Sequence, residues 1–106
     1  VKPALFHPKA RAVLKGFPEE VRREFGRAIF DLQKGNRISM PLSRPMPSVA
    51  HGVEELRVKD RSGAYRAFYF TKVADAVVIF HAFEKKTAKT PPHEIELARK
   101  RLREML

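Results

Sequence analysis

At Val53 the spacing of apolar residues changes from the helical three-and-four to an alternation of two, which holds as far as Phe83. Three runs, 53–59, 64–71 and 76–83, read as strands joined by two short turns, Asp60-Arg61-Ser62-Gly63 and Lys72 to Asp75. A chain that commits its second half to such a meander must build an antiparallel sheet and bury at least one face of it. In the first run Leu56 and Val58 point one way, while Glu55, Arg57 and Lys59 point the other. The third run, Ala-Val-Val-Ile-Phe-His-Ala-Phe, is apolar on both faces, as a central strand is.

Ahead of the meander the periodicity is helical. Ala10, Val13, Leu14 and Phe17 mark a short amphipathic helix from Lys9 to Lys15 that Gly16 breaks. Pro18 suits the first position of a second helix. There Val21, Phe25, Ala28, Ile29 and Leu32 form one face, Glu19 and Glu20 occupy the first turn, and Gly35-Asn36 supplies the stop. Such tightly joined helices predict a helical hairpin that buries Phe17, Phe25 and Ile29 against a flat surface. Residues 1–6 suit an edge strand, where Pro3 is tolerated. Residues 36–52, with Pro41, Pro45, Pro47 and Gly52, read as a long connecting loop. Thr90-Pro91-Pro92 opens a last helix, His93 to Met105, with Ile95, Ala98, Leu102 and Met105 as its apolar stripe. The expected fold is therefore α+β: an N-terminal helical hairpin packed on a small, mainly antiparallel sheet, with a C-terminal helix.

Length and charge narrow what such a fold can do. At 106 residues one domain spanning 1–106 is expected. Lys and Arg total 22 against 12 acidic residues, a net charge of +10, which suits a nucleic acid or an acidic protein as partner. The excess is spread along the chain, ten basic residues against four acidic in 1–52 and twelve against eight in 53–106, so no tail carries it. The lack of cysteine excludes disulfides and thiol catalysis. His7, His51, His81 and His93 show no ligand spacing, so neither a metal nor another cofactor is expected. No apolar run approaches a membrane span and no signal-peptide pattern appears, which makes the cytoplasm the expected location.

Counting across four-residue turns gives a register. Lys59 falls opposite Ala64, which sets Arg57 against Arg66; Thr71 opposite Ala76 then sets Arg66 against His81. The predicted row Arg57–Arg66–His81 crosses three strands on one sheet face, with Lys85 and Lys86 just beyond it. Like charges facing each other destabilise a sheet, so a sheet that keeps them is expected to face a polyanion. Such a set has the parts for metal-free RNA cleavage. The 2′-OH attacks the neighbouring phosphate once a base takes its proton, cations hold the developing charge, and an acid protonates the leaving 5′-oxygen. Arg57 and Arg66 suit the phosphate clamp, His81 the base or acid, and Lys85 or Lys86 the stabilising cation or acid. Lys59, Arg61 and Lys89 are candidate RNA contacts, and Phe68 or Tyr69 a surface on which a base stacks. Each residue also has a plainer reading: Arg57 and Arg66 as solvated strand positions, His81 as a core histidine, Lys85-Lys86 as a solvated turn, and Phe68-Tyr69-Phe70 as core.

The combination of Glu54-Glu55-Leu56-Arg57, Tyr65-Arg66-Ala67-Phe68-Tyr69 and Phe83-Glu84-Lys85-Lys86-Thr87 resembles the phage-derived, HigB-type branch of the RelE/ParE toxin superfamily. The Pro18-Glu19-Glu20 helix start and Arg44-Pro45-Met46-Pro47 fit it too, so the likeness covers nearly the whole chain. The resemblance implies a RelE-like fold and a toxin paired with an antitoxin, often a helix-turn-helix protein. It also implies metal-independent cleavage of mRNA on the ribosome, leaving a cyclic phosphate. By motif, Arg66 matches the arginine that touches the scissile phosphate in RelE-like enzymes. Arg57 stands where those enzymes place a lysine, and Lys85 or Lys86 falls near their second catalytic arginine. The C-terminal tyrosine of some relatives is missing, since the chain ends Arg103-Glu104-Met105-Leu106. A ParE-like inhibitor of DNA gyrase and a non-catalytic, phage-derived nucleic-acid-binding protein are the alternatives.

Overall fold

The first helix forms as α1 (Pro8–Lys15), capped by His7, whose ring Nδ1 accepts the Lys9 backbone N–H at 3.1 Å. The structure, a computed structural model, describes residues 1–73 and 75–106. Helix α2 runs Glu19–Gln33 with Pro18 as its N-cap rather than its first residue, so it starts one residue later than expected. Gly35 ends it with φ +90°, a left-handed conformation in which glycine lacks the Cβ penalty. The last helix, α3, spans Pro92–Met105.

The strands are β1 (Ala4–Phe6), β2 (Ser43–Pro45), β3 (Val53–Asp60), β4 (Gly63–Phe70) and β5 (Val77–Lys85). They form one sheet in the order β1–β5–β4–β3–β2, with β1 parallel to β5 and the other pairs antiparallel. This is the α+β arrangement predicted from the periodicities.

Both faces of the sheet are covered, which is why β5 is apolar throughout. On one face Leu14 and Phe17 join Val21, Phe25, Ile29 and Leu32 of α2 over Leu56, Val58, Tyr65, Ala67 and Ile79. Phe17 lies 4.8 Å from the Tyr65 ring, so the residue between the helices is itself part of this core. On the other face Ala98 and Leu102 of α3, with Met46 and Val49, cover Val53, Phe68, Val78, Phe80 and Phe83.

Two expectations need correction. The stretch 36–52 contains β2, paired with β3 so that Arg44 stands opposite Glu55 and Pro45 opposite Glu54. Pro45 fits because the strand is an edge, where a missing N–H leaves no ladder bond unmade. The register of β4 with β5 also differs. Tyr69 pairs with Ile79 while Phe68 pairs with His81, so Phe80 is an extra residue bulged out of the ladder. Because Phe70 already pairs with Val78 rather than Val77, the bulge brings the offset to two residues: Arg66 faces Phe83, and His81 lies one rung away, still on the arginine side of the sheet. The turn predicted at Lys72 to Asp75 includes Ala74, which lies outside the described residues.

Candidate functional site: an arginine cluster around one buried carboxylate

The two-residue reversal at Arg61-Ser62 fixes one end of the site. Asp60 Oδ1 accepts the Ser62 N–H at 2.8 Å and its hydroxyl at 2.6 Å, and the Ser62 hydroxyl also meets Tyr65 Oη at 2.7 Å. These bonds hold the Asp60 carboxyl below its ordinary pKa. The tight turn sets Lys59 against Ala64 and Arg57 against Arg66, as counted from the sequence.

Three rungs of one sheet face frame the site. Arg44, Glu55, Phe68 and His81 form the first; Arg57, Arg66 and Phe83 the second; Lys59, Ala64 and Lys85 the third. Glu55 is buried at 1% exposure, and its Oε1 lies 3.5 Å from Arg44 Nε, 3.6 Å from Arg57 Nε and 3.7 Å from Arg66 Nε. These are ion contacts, too long for hydrogen bonds. Glu55 Oε2 and the Nε atoms of Arg57 and Arg66 have no hydrogen-bond partner among the described residues. Arg66 is buried and donates Nη1–H to the Tyr65 carbonyl at 3.1 Å. An open cleft of about 330 Å³, lined by Pro41, Leu42, Arg57, Lys59 and Arg66, lies over the second and third rungs.

Three arginines thus share one carboxylate, and Lys85 stands a rung beyond Arg66. Burial lowers the Arg66 pKa from its ordinary value, with Glu55 opposing and Arg57 and Arg44 adding to the shift. Lys85 is lowered as well, first by burial and then by Arg66, with Glu55 again pulling the other way. The Lys85 ammonium consequently gives up its proton more readily than an ordinary lysine.

His81 does not join this set. It is 1% exposed beneath α3, with Nδ1 at 2.8 Å from Arg101 Nη1 and Nε2 at 2.7 Å from Glu94 Oε1. Both ring nitrogens are engaged, which removes it from the catalytic row predicted above. Phe68 is fully buried, 5.7 Å from the rings of His81 and Phe83, and so is core and cannot stack on a base. Lys59, Arg61, Lys86 and Lys89 are exposed, Arg61 at the β3–β4 turn and Lys86 and Lys89 beyond β5. Arg44 and Glu55 were missed as site residues. A signal existed for Glu55, which alternates onto the face of Arg57, where two opposed arginines need a counter-ion. For Arg44 the signal lay in β2, which the sequence did not reveal.

The architecture places the chain among proteins with the RelE fold. The crystal structure of the isolated RelE toxin of E. coli superposes with a TM-score of 0.59, covering 100% of both chains at 17% identity. Residues 12–103, which include every site residue above, match the family described as phage-derived protein Gp49-like. The chain belongs to that family. Curated protein sequences give no match.

Proposed function

We propose that this protein is the toxin of a type II toxin–antitoxin pair and a metal-independent endoribonuclease that cuts mRNA on the ribosome. Among RelE-like toxins the reading assigns it to the HigB-type branch, on the Phe83-Glu84-Lys85-Lys86-Thr87 run. One observation carries the proposal: Arg57 and Arg66 oppose each other on adjacent strands, with Lys85 a rung away, beneath an open cleft. The Gp49-like family and the RelE fold support it.

In this reading Arg66 and Arg57 bind the oxygens of the scissile phosphate. Their guanidinium planes stabilise the charge that grows as the 2′-oxygen attacks. Lys85, with its lowered pKa, is the group that exchanges a proton with the reacting oxygens. Lys59, Arg61, Lys86 and Lys89 hold the flanking backbone, and Phe83 closes the apolar side of the arginine rung. The partner that restrains the toxin is an antitoxin whose acidic segments complement the +10 charge.

Primer extension on mRNA from cells induced for this chain tests the reading. Cuts at fixed codon positions are expected. Supercoiling defects with intact mRNA would instead indicate a gyrase inhibitor, and unaffected growth a non-toxic binding protein. In purified translation complexes Arg66→Ala should lower the cleavage rate by about 10²–10³-fold, the usual effect of losing one oxyanion donor. The variant should still fold, because its loss relieves repulsion from Arg57 and Arg44 while Glu55 keeps two cations. Arg57→Lys should keep more activity than Arg57→Ala. Equal loss in the two would assign the effect to the guanidinium fork rather than to charge.

A further inference from the structure

We propose that Glu55 is a positioning residue, whose one buried carboxylate fixes Arg44, Arg57 and Arg66 as a preformed receptor for phosphate oxygens. The inference rests on the anion-binding part of the function proposed above and adds to it the group that makes the cluster possible.

The three arginines come from three different strands, β2, β3 and β4, and each approaches the same oxygen through its Nε. An Nε contact uses the inner edge of a guanidinium and leaves the outer nitrogens for another acceptor. Arg66 spends Nη1 on the Tyr65 carbonyl and keeps Nη2 in hand. All three separations, 3.5, 3.6 and 3.7 Å, exceed the roughly 2.7–2.9 Å of a charge-assisted hydrogen bond. Glu55 therefore organises the cations without consuming their hydrogen-bonding capacity. A carboxylate meant only for neutralisation would close onto one arginine in a bidentate pair; this one leaves Oε2 without a hydrogen-bond partner among the described residues.

Burial adds a second argument. Glu55 sits between Val53 and Arg57 on β3, nearly inaccessible to solvent. A charge there is costly, and an apolar side chain of similar size would pack the sheet at less cost. With an apolar residue in its place, however, three cations would repel across adjacent strands with nothing to hold them at a common distance. Glu55 also supports the proton on Lys85, against the arginines that weaken it.

The proposal separates position from charge, because the two predict opposite signs for Glu55→Gln. Removing a negative charge from a cationic cluster should, on charge alone, tighten binding of an anion. Loss of positioning should weaken it. The experiment follows the side-chain Nε–H resonances of the arginines by NMR in the full chain as inorganic phosphate is added. Wild type should show saturable shifts at Arg57 and Arg66. Glu55→Gln should raise the apparent Kd by roughly tenfold or more, despite its extra positive charge. Should that variant not fold, Glu55→Asp decides: it keeps the charge but withdraws the carboxylate, and the same weakening is expected. Equal or tighter phosphate binding in the folded variant would overturn the proposal, as would a wild-type protein whose arginine resonances do not respond. Because no cleavage is measured, the endoribonuclease reading can fail in primer extension while this result stands.

Discussion

The histidine at position 81 carries its proton on Nε2. Arg101 can only donate, so Nδ1 must accept from it at 2.8 Å, and Nε2–H then donates to Glu94 at 2.7 Å. The ring is thus held neutral, and its pKa lies below the ordinary 6.5, first through burial, with Arg101 and the more distant His7 adding to the shift and Glu94 opposing it. The sign of the pH effect follows. Below 6.5 the unfolded chain binds a proton at this position that the folded chain refuses. The stability due to neutral His81 is complete above about 6.5 and declines as pH falls towards the lower folded value, at most by about 1.4 kcal/mol per pH unit. Urea unfolding at several pH values between 5 and 7.5 should show that slope in wild type and lose it in His81→Gln. An unchanged slope in the variant would assign the dependence to another group. The sequence indicated the face on which His81 lies, but not the rung. Two one-residue shifts together move the ring from the arginine rung to the Glu55 rung: Phe70 pairs with Val78 rather than Val77, and Phe80 bulges out of the ladder. No residue type announces either in a run that is apolar on both faces.

At the level of elements, legibility tracked periodicity. Helix α2 was plain because five buried residues repeat at helical spacing and Glu19, Glu20 and Gly35 mark its ends. The β3–β4 hairpin was plain because a short turn ties register to counting. Strand β2 was invisible: three residues, one of them proline, carry no detectable alternation, and only pairing with β3 makes them a strand. With it went Arg44, the third cation of the site. Within α2 one residue contradicts its surroundings. Gly26 sits in the middle of the helix, yet a Cβ built there meets nothing within 4 Å. Its backbone freedom costs helix stability without a packing return in this chain. Gly26→Ala should therefore raise stability by about 0.5–1 kcal/mol, visible as a higher denaturant midpoint at unchanged m. A drop in midpoint would mean that the position is tighter than the open space implies.

Across the whole molecule, the +10 charge is divided into cations that are spent and cations that are held in reserve. On α2 and at its C-cap, Arg23, Arg27 and Lys34 pair with carboxylates one turn away, and on α3 Arg99 pairs with Glu96. Exposed pairs of this kind contribute only about 0.3–0.5 kcal/mol each, and they do little to draw in a polyanion. The cluster at the cleft is the opposite case: Arg44, Arg57 and Arg66 share the Glu55 carboxylate, Arg57 and Arg66 also line the cleft, and Lys85 stands a rung beyond Arg66. If an RNA backbone completes that balance, binding must release counter-ions from the phosphates it neutralises, and affinity must fall with salt in proportion to their number. A single-stranded 2′-O-methyl RNA, which cannot be cut by 2′-OH attack, isolates this step. Contacts from Arg57, Arg66 and Lys85 to three phosphates predict a log–log slope against salt of about −2, each contact contributing about 0.7. Arg66→Ala should flatten the slope by about that single increment, whereas Arg23→Gln, which removes a cation already paired on α2, should leave it where it was. A slope that Arg66→Ala does not change would mean that the charge attracting the RNA lies elsewhere on the surface, and the arginine rung would then need a different ligand.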